Sequence, residues 1–131
     1  QQTDAEEEED DTPDYPVTLF VSKGGYLKKI TAQSLRMSGE QKFKEGDSLE
    51  FSRETNNKAE ILVFTDQFQC YKSRLSEFED SKASLLGDYL PQKLGMDPGE
   101  NVLHVILPGD YKGFILFFFE NGNIILYNLL F

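Results

Sequence analysis

The sequence predicts an all-β chain made of repeated four-stranded units, about two and a half of them within its 131 residues. Three observations carry this. Val, Ile, Leu and Phe cluster in short runs, which suit strands better than helices. Three of these runs are followed by turn residues and a second run, the pattern of a β-hairpin. The three hairpins also match one another position by position.

The first hairpin is predicted from residues 17–22 and 26–31 around Lys23-Gly24-Gly25, whose glycines permit positive φ. Residues 48–53, after Gly46-Asp47, follow as a further strand. The second hairpin joins residues 61–65 and 69–73 through Asp66-Gln67-Phe68, a poorer turn sequence. Its following strand spans 101–107, after Asp97-Pro98-Gly99-Glu100, so Gly46 and Gly99 hold equivalent places. The connection from 76 to 96 is read as irregular, with one short helix around 81–86. The third hairpin pairs 114–119 with 123–127 across Asn121-Gly122, the strongest turn signal in the chain.

Leu19, Leu62 and Leu116 start the same four-residue slot and lie 43 and 54 residues apart. Gly25, Phe68 and Gly122 follow at equal offset, as do Leu27, Cys70 and Ile124. A period of about 40–50 residues is that of propeller blades. Residues 61–64, 102–107 and 114–119 are apolar on both faces, as expected of strands sandwiched between packed blades. The sequence ends inside the third unit, so it is expected to be part of a larger ring, to leave residues 114–119 near an unprotected edge, and to self-associate or swap strands.

The formal net charge is -10, but residues 1–14 hold eight acids and no base. The remaining residues carry 15 acids and 13 bases, so the body is nearly neutral. A block of like charge without apolar residues cannot offset its ordering entropy, and residues 1–14 are read as a solvated tail or linker. Residues 15–131 form the expected β domain. The single cysteine, Cys70, excludes an intrachain disulfide and suits a reducing cytosol. It is read as a small core residue. No leader-like apolar segment follows the acidic start, and no apolar run is long enough to span a bilayer, so no membrane contact is expected. One histidine, His104, and no nucleotide or metal pattern argue against an independent enzyme. His104 reads as structural, and Asp47, Asp97, Glu100 and Asp110 read as turn residues.

Residues 16–29, Pro-Val-Thr-Leu-Phe-Val-Ser-Lys-Gly-Gly-Tyr-Leu-Lys-Lys, resemble the opening of the C-terminal domain of bacterial type IIA topoisomerase A subunits, the gyrase and topoisomerase IV family. Residues 30–42 and 82–89 are similar to the Gram-positive, clostridia-like members. The resemblance covers roughly residues 15–127. It implies a β-pinwheel that binds and bends duplex DNA around its rim and carries no catalytic residue. It also implies two partners within the parent enzyme, the rest of the A subunit plus the ATPase B subunit. ATP and Mg would be used on other domains or subunits, and the expected place is cytoplasmic and nucleoid-associated. Gyrases carry a Gln-Arg-Arg-Gly-Gly-Arg-Gly box in the loop after the first hairpin. The loop here, residues 36–45, lacks it, which leans toward decatenase-like binding or a divergent gyrase.

Rim binding needs cations spaced to meet phosphates. The candidates are Lys23, Lys28 and Lys29 on the first hairpin, Arg36, Lys42 and Lys44 in its loop, and Lys72, Arg74 and Lys82 in the second unit. Lys29 and Lys72 are equivalent in the repeat, and Leu126 takes their place in the third unit. The bland alternative is a solvated charged face on a protein-interaction propeller that binds no nucleic acid.

Overall fold

The computed structural model describes residues 11–118, 120–122 and 124–128. Its elements are β1 (Pro16–Ser22), β2 (Tyr26–Thr31), α1 (Ala32–Met37), β3 (Leu49–Asn56), β4 (Glu60–Thr65), β5 (Cys70–Arg74), a 3-10 turn (Leu75–Glu77), β6 (Asp88–Tyr89), α2 (Leu90–Lys93), β7 (Val102–Ile106), β8 (Phe114–Phe118) and β9 (Ile124–Asn128).

Each of the first two modules is an antiparallel hairpin whose first strand takes a later strand on its other side. β3 returns to pair with β1 opposite β2, and β7 returns to pair with β4 opposite β5. Both returning strands meet a register shift at the same place in the repeat, Val21/Ser22 and Phe64/Thr65. The hairpin turns place Gly25, Phe68 and Gly122 at positive φ, 92°, 61° and 84°. Two of the three are glycine, which adopts this region at no steric cost. The first sheet is completed by β6, which lies 57 residues beyond the end of β2 and pairs with its outer edge, giving the order β3-β1-β2-β6. The second sheet, β5-β4-β7, and the pair β8-β9 have no such outer strand among the described residues. The described residues therefore make one full blade followed by two partial ones.

The blades pack through β4, all of whose apolar side chains are buried. Ile61 and Val63 face a core with Val17, Leu19, Val21, Leu27, Leu75, Phe78 and Leu90. Leu62 and Phe64 face the opposite way, against Ile106, Ile115 and Phe117. Burying one such side chain contributes roughly 1.5–3 kcal/mol, so a strand apolar on both faces is the mechanical joint between modules.

Some expectations change. Residues 81–86 are not helical; the short helices lie at α1 and α2 instead. The Thr31 side chain caps α1 by accepting the Ser34 N–H at 3.3 Å, and Pro91 sits in the first turn of α2, where a missing N–H costs nothing. α1 buries no residue, so it has no apolar periodicity to betray it. In β8 only alternate residues are covered, and Phe114, Leu116 and Phe118 are 64%, 50% and 74% exposed. Cys70 is exposed, whereas Leu27 at the same repeat position is buried. The difference is that β2 is covered by the segment running to β6, while the outer edge of β5 is bare among the described residues. Residues 1–10 of the acidic block lie outside the described residues. Of the rest, the carbonyl of Pro13 accepts from Asn57 Nδ2 at 2.8 Å and the Asp14 carboxylate accepts from the Lys58 N–H at 3.2 Å.

Candidate nucleic-acid interface

The hairpin turns are held by a repeated acid. In the first module Asp47 accepts the N–H groups of Gly24 and Ser48 at 2.7 and 2.8 Å. Burial raises its pKa, but the Ser22 hydroxyl and these two N–H groups outweigh that and hold the carboxyl below its ordinary value. In the second module the buried Glu100 accepts the Thr65 hydroxyl and the Tyr71 hydroxyl, the latter at 2.8 Å. Ser22 and Thr65 are equivalent in the repeat, and Asp47 and Glu100 each follow a positive-φ glycine, Gly46 or Gly99. These acids do more than make turns: each fixes its hairpin against the next strand. The Gly-acid pair after each hairpin was the sequence signal for it.

The nine candidate cations divide three ways. Lys28 and Lys29, expected on the exposed rim, are buried, at 3% and 2% exposure. The Lys28 ammonium donates to the carbonyls of Lys42 and Ala83 at 3.1 and 3.2 Å and lies 5.4 Å from the ring centre of Phe43. Desolvation lowers its pKa. The Lys29 ammonium donates to Asn57 Oδ1 at 2.6 Å and pairs with Asp80 at 3.2 Å. Tyr15 donates its hydroxyl to the same Asp80, and its own pKa is pushed up to about 12, by burial first and then by that carboxylate. The cause of both burials is the same. The segment leading to β6 lies across β2, with the Ser81 N–H donating to the Lys29 carbonyl at 2.7 Å and Leu90 N–H to the Gly25 carbonyl at 2.8 Å. Neither lysine can meet a phosphate in this arrangement.

Lys72 and Arg74 form a second group on β5. Both are 54% exposed, and both reach Glu60, at 3.5 and 3.8 Å. Glu60 also accepts the Tyr111 hydroxyl, which with the two cations holds its carboxyl below the ordinary value. Lys72 shares Lys29's register but not its burial, because no segment covers β5 among the described residues.

The third group is exposed and belongs to the first blade: Lys23, Arg36, Lys42, Lys44 and Lys82. Lys23 and Lys44 line one open depression of about 540 Å³ with Tyr26, Tyr89, Glu45 and Asp47. Tyr26 and Tyr89 contact each other there, ring centres 5.0 Å apart. Lys42 and Lys82 come from different parts of the chain, and the loop holding Lys42 is tied to the residue after Lys82, since the Lys42 N–H donates to the carbonyl of Ala83 at 2.8 Å. His104 lies between Phe51 and Phe117, a packing position remote from these cations in sequence and sheet. Leu126 is in β9, whose side chains lie outside the described residues. Among the described residues no helix is long and apolar enough to cross a membrane.

No family model matches the chain. The A subunit of DNA topoisomerase 4 from Staphylococcus aureus is 28% identical over 116 residues, 86% of this chain. The crystal structure of the C-terminal domain of DNA topoisomerase IV superposes with a TM-score of 0.81 at 26% identity, over 89% of this chain. The chain has the β-pinwheel fold and is similar to the C-terminal domains of type IIA topoisomerase A subunits. It spans 14% of the Staphylococcus protein and 38% of the topoisomerase IV domain. The C-terminal domain of E. coli ParC (TM-score 0.61, 21% identity, 77% of this chain and 40% of that one) and that of DNA gyrase A (0.58, 14%, 88% and 40%) share the fold. In this pinwheel segment the strand lent by the second module, rather than the hairpin itself, decides which lysines remain at the surface.

Asn57, Asp80 and Gly87 were not foreseen. Asp80 reaches Lys29 through an isolated parallel bridge between their backbones, 51 positions apart. Gly87 has φ +88°, and a Cβ there would stand 2.4 Å from the Leu27 carbonyl oxygen. No local pattern announces contacts of this range.

Proposed function

We propose that this segment is a non-catalytic DNA-binding and DNA-bending module within the A subunit of a type II topoisomerase. The observation that carries the reading is the cluster of exposed first-blade lysines, Lys23, Lys42, Lys44 and Lys82, on a fold shared with the C-terminal domains of topoisomerase A subunits. Phosphate contacts by such cations give affinity and salt dependence without reading sequence. The parent is then an isomerase that passes strands with ATP and Mg bound on other domains or subunits. Its partners are duplex DNA, the rest of the A subunit, plus an ATPase B subunit, in the cytoplasm and on the nucleoid. The loop without the Arg- and Gly-rich box favours decatenase-like use over chiral wrapping.

Fluorescence anisotropy of a short labelled duplex across a salt series tests this. Five exposed first-blade cations imply a slope of log affinity against log salt no steeper than about -4.5, at roughly -0.9 per phosphate contact. Replacing Lys42 and Lys82 by Ala removes two contacts, and the slope is expected to flatten by roughly 1.8. Absence of duplex binding at low salt defeats the proposal.

A second reading rests on the exposed apolar face of β8, formed by Phe114, Leu116 and Phe118. A face of that kind is a protein contact rather than a DNA contact, and we propose that isolated chains associate through it.

A further inference from the structure

Lys28 is an unusual place to find a charge. It is 97% covered, and among the described residues its ammonium meets two carbonyls and an aromatic face rather than a carboxylate. Lys29 beside it is neutralised by Asp80. A buried cation without a counter-ion is costly, and that cost must be offset by something. What the ammonium does touch is informative. The Lys42 carbonyl belongs to the loop of the first module, and the Ala83 carbonyl belongs to the segment lent by the second. The same two residues are joined by the Lys42 N–H to the Ala83 carbonyl. Lys42 and Lys44, which line one depression with Lys28, are exposed, as is Lys82 beside Ala83. The close fit of the lent segment is enforced by Gly87, whose missing Cβ leaves room for the Leu27 carbonyl and the Lys28 stem.

We propose that Lys28 is a positioning residue that couples duplex binding to docking of the second module on the first. Its ammonium clamps two loops from different modules, so the exposed lysines of both form one strip. Its uncompensated charge lies beneath that strip, where a polyanion offsets it. Coupling of this kind is reciprocal: if the docked arrangement favours duplex, duplex favours the docked arrangement. The inference rests on the DNA-binding reading above and adds to it a buried residue that never touches DNA.

The test uses the whole chain and two measurements. In the wild type, hydrogen exchange of the Lys42 amide, which reports the inter-module bond, is expected to slow at least five-fold when duplex saturates the protein. In Lys28→Met, with circular dichroism confirming the fold, duplex affinity is expected to fall at least five-fold, and the duplex-induced protection of Lys42 is expected to vanish. A folded Lys28→Met chain with wild-type affinity overturns the proposal. So does a wild-type Lys42 amide that exchanges at the same rate with and without bound duplex, a result that needs no variant to fold. If the wild type binds no duplex at all, the DNA-binding reading fails and takes this one with it.

Discussion

Lys29→Met is the sharpest test of the division between buried and exposed lysines. In the folded protein the Lys29 ammonium is 3.2 Å from Asp80 and 2.6 Å from Asn57 Oδ1. At an effective dielectric of about 20 the gross attraction at that separation is about 5 kcal/mol. Much of it is returned, because Met relieves the desolvation of the ammonium and Asp80, 44% exposed, rehydrates. What is not returned is the carbonyl of Asn57, a residue 3% exposed, left without its donor at a cost of roughly 1–3 kcal/mol. The net expectation is a loss of about 2–3 kcal/mol. For a chain of this length that lowers the melting temperature by about 7–11 °C, on the usual per-residue unfolding entropy. Urea titration followed by circular dichroism measures it directly. At a temperature where the variant stays folded, the salt slope of duplex binding is expected to match the wild type. A destabilisation under about 0.5 kcal/mol would refute the clamp. A slope flattened by about one would place Lys29 on the DNA path and refute its burial.

Gly87→Ala forces a side chain into positive φ and against the Leu27 backbone oxygen. Strain and clash together are expected to cost about 3 kcal/mol or more by urea titration. Asp47, Glu60, Asp66 and Glu100 all have pKa values below their ordinary ones, through hydrogen bonds from Ser22, Tyr111, Asn101 and Thr65 respectively, the two aspartates and Glu100 helped by backbone N–H groups. Carboxylates depressed in the folded state contribute stability that is complete above their unfolded values and lost as pH falls through the folded ones. The urea midpoint is therefore expected to be flat from neutral down to about pH 5 and to drop below about pH 4. The β8 face is expected to drive concentration-dependent association, and Phe118→Asp to abolish it, both read by light scattering; a monomer at high concentration would exclude that contact.

The hairpins were legible in the sequence because each is specified within about a dozen residues. Two β-prone runs and a turn that tolerates positive φ are local facts. Even Phe68, a poor turn residue, takes the conformation its repeat position requires. The modular period was legible for the same reason. Burial was not. Leu27 and Cys70 occupy one slot, as do Lys29 and Lys72, yet in each pair the first is buried and the second exposed. The repeat fixes strand register, which depends on neighbours in the hairpin. Environment depends on the segment that reaches β6, and that segment belongs to another module. A lysine doublet on a strand therefore read as a surface patch when it is a pair of buried anchors.

This separation limits how much DNA affinity the segment would supply in the proposed role. Of nine candidate cations two are buried, and two more, Lys72 and Arg74, already face Glu60. The five that remain come from the first module and from the residue beside its junction with the second. Smoothly bending a duplex costs about 1–6 kcal/mol over a site of ordinary length, and the phosphate contacts made by the bent duplex must offset it. In the proposed role, five contacts on one blade would hold a phosphate track without forcing much curvature, since curvature requires contacts separated along the helix. The Lys72–Arg74 edge is the next place along the modules where such contacts would arise, and there Glu60 would compete with phosphate for both cations. If the segment bends duplex DNA as proposed, bending would be limited less by the number of lysines than by that carboxylate, which holds the second blade's cations.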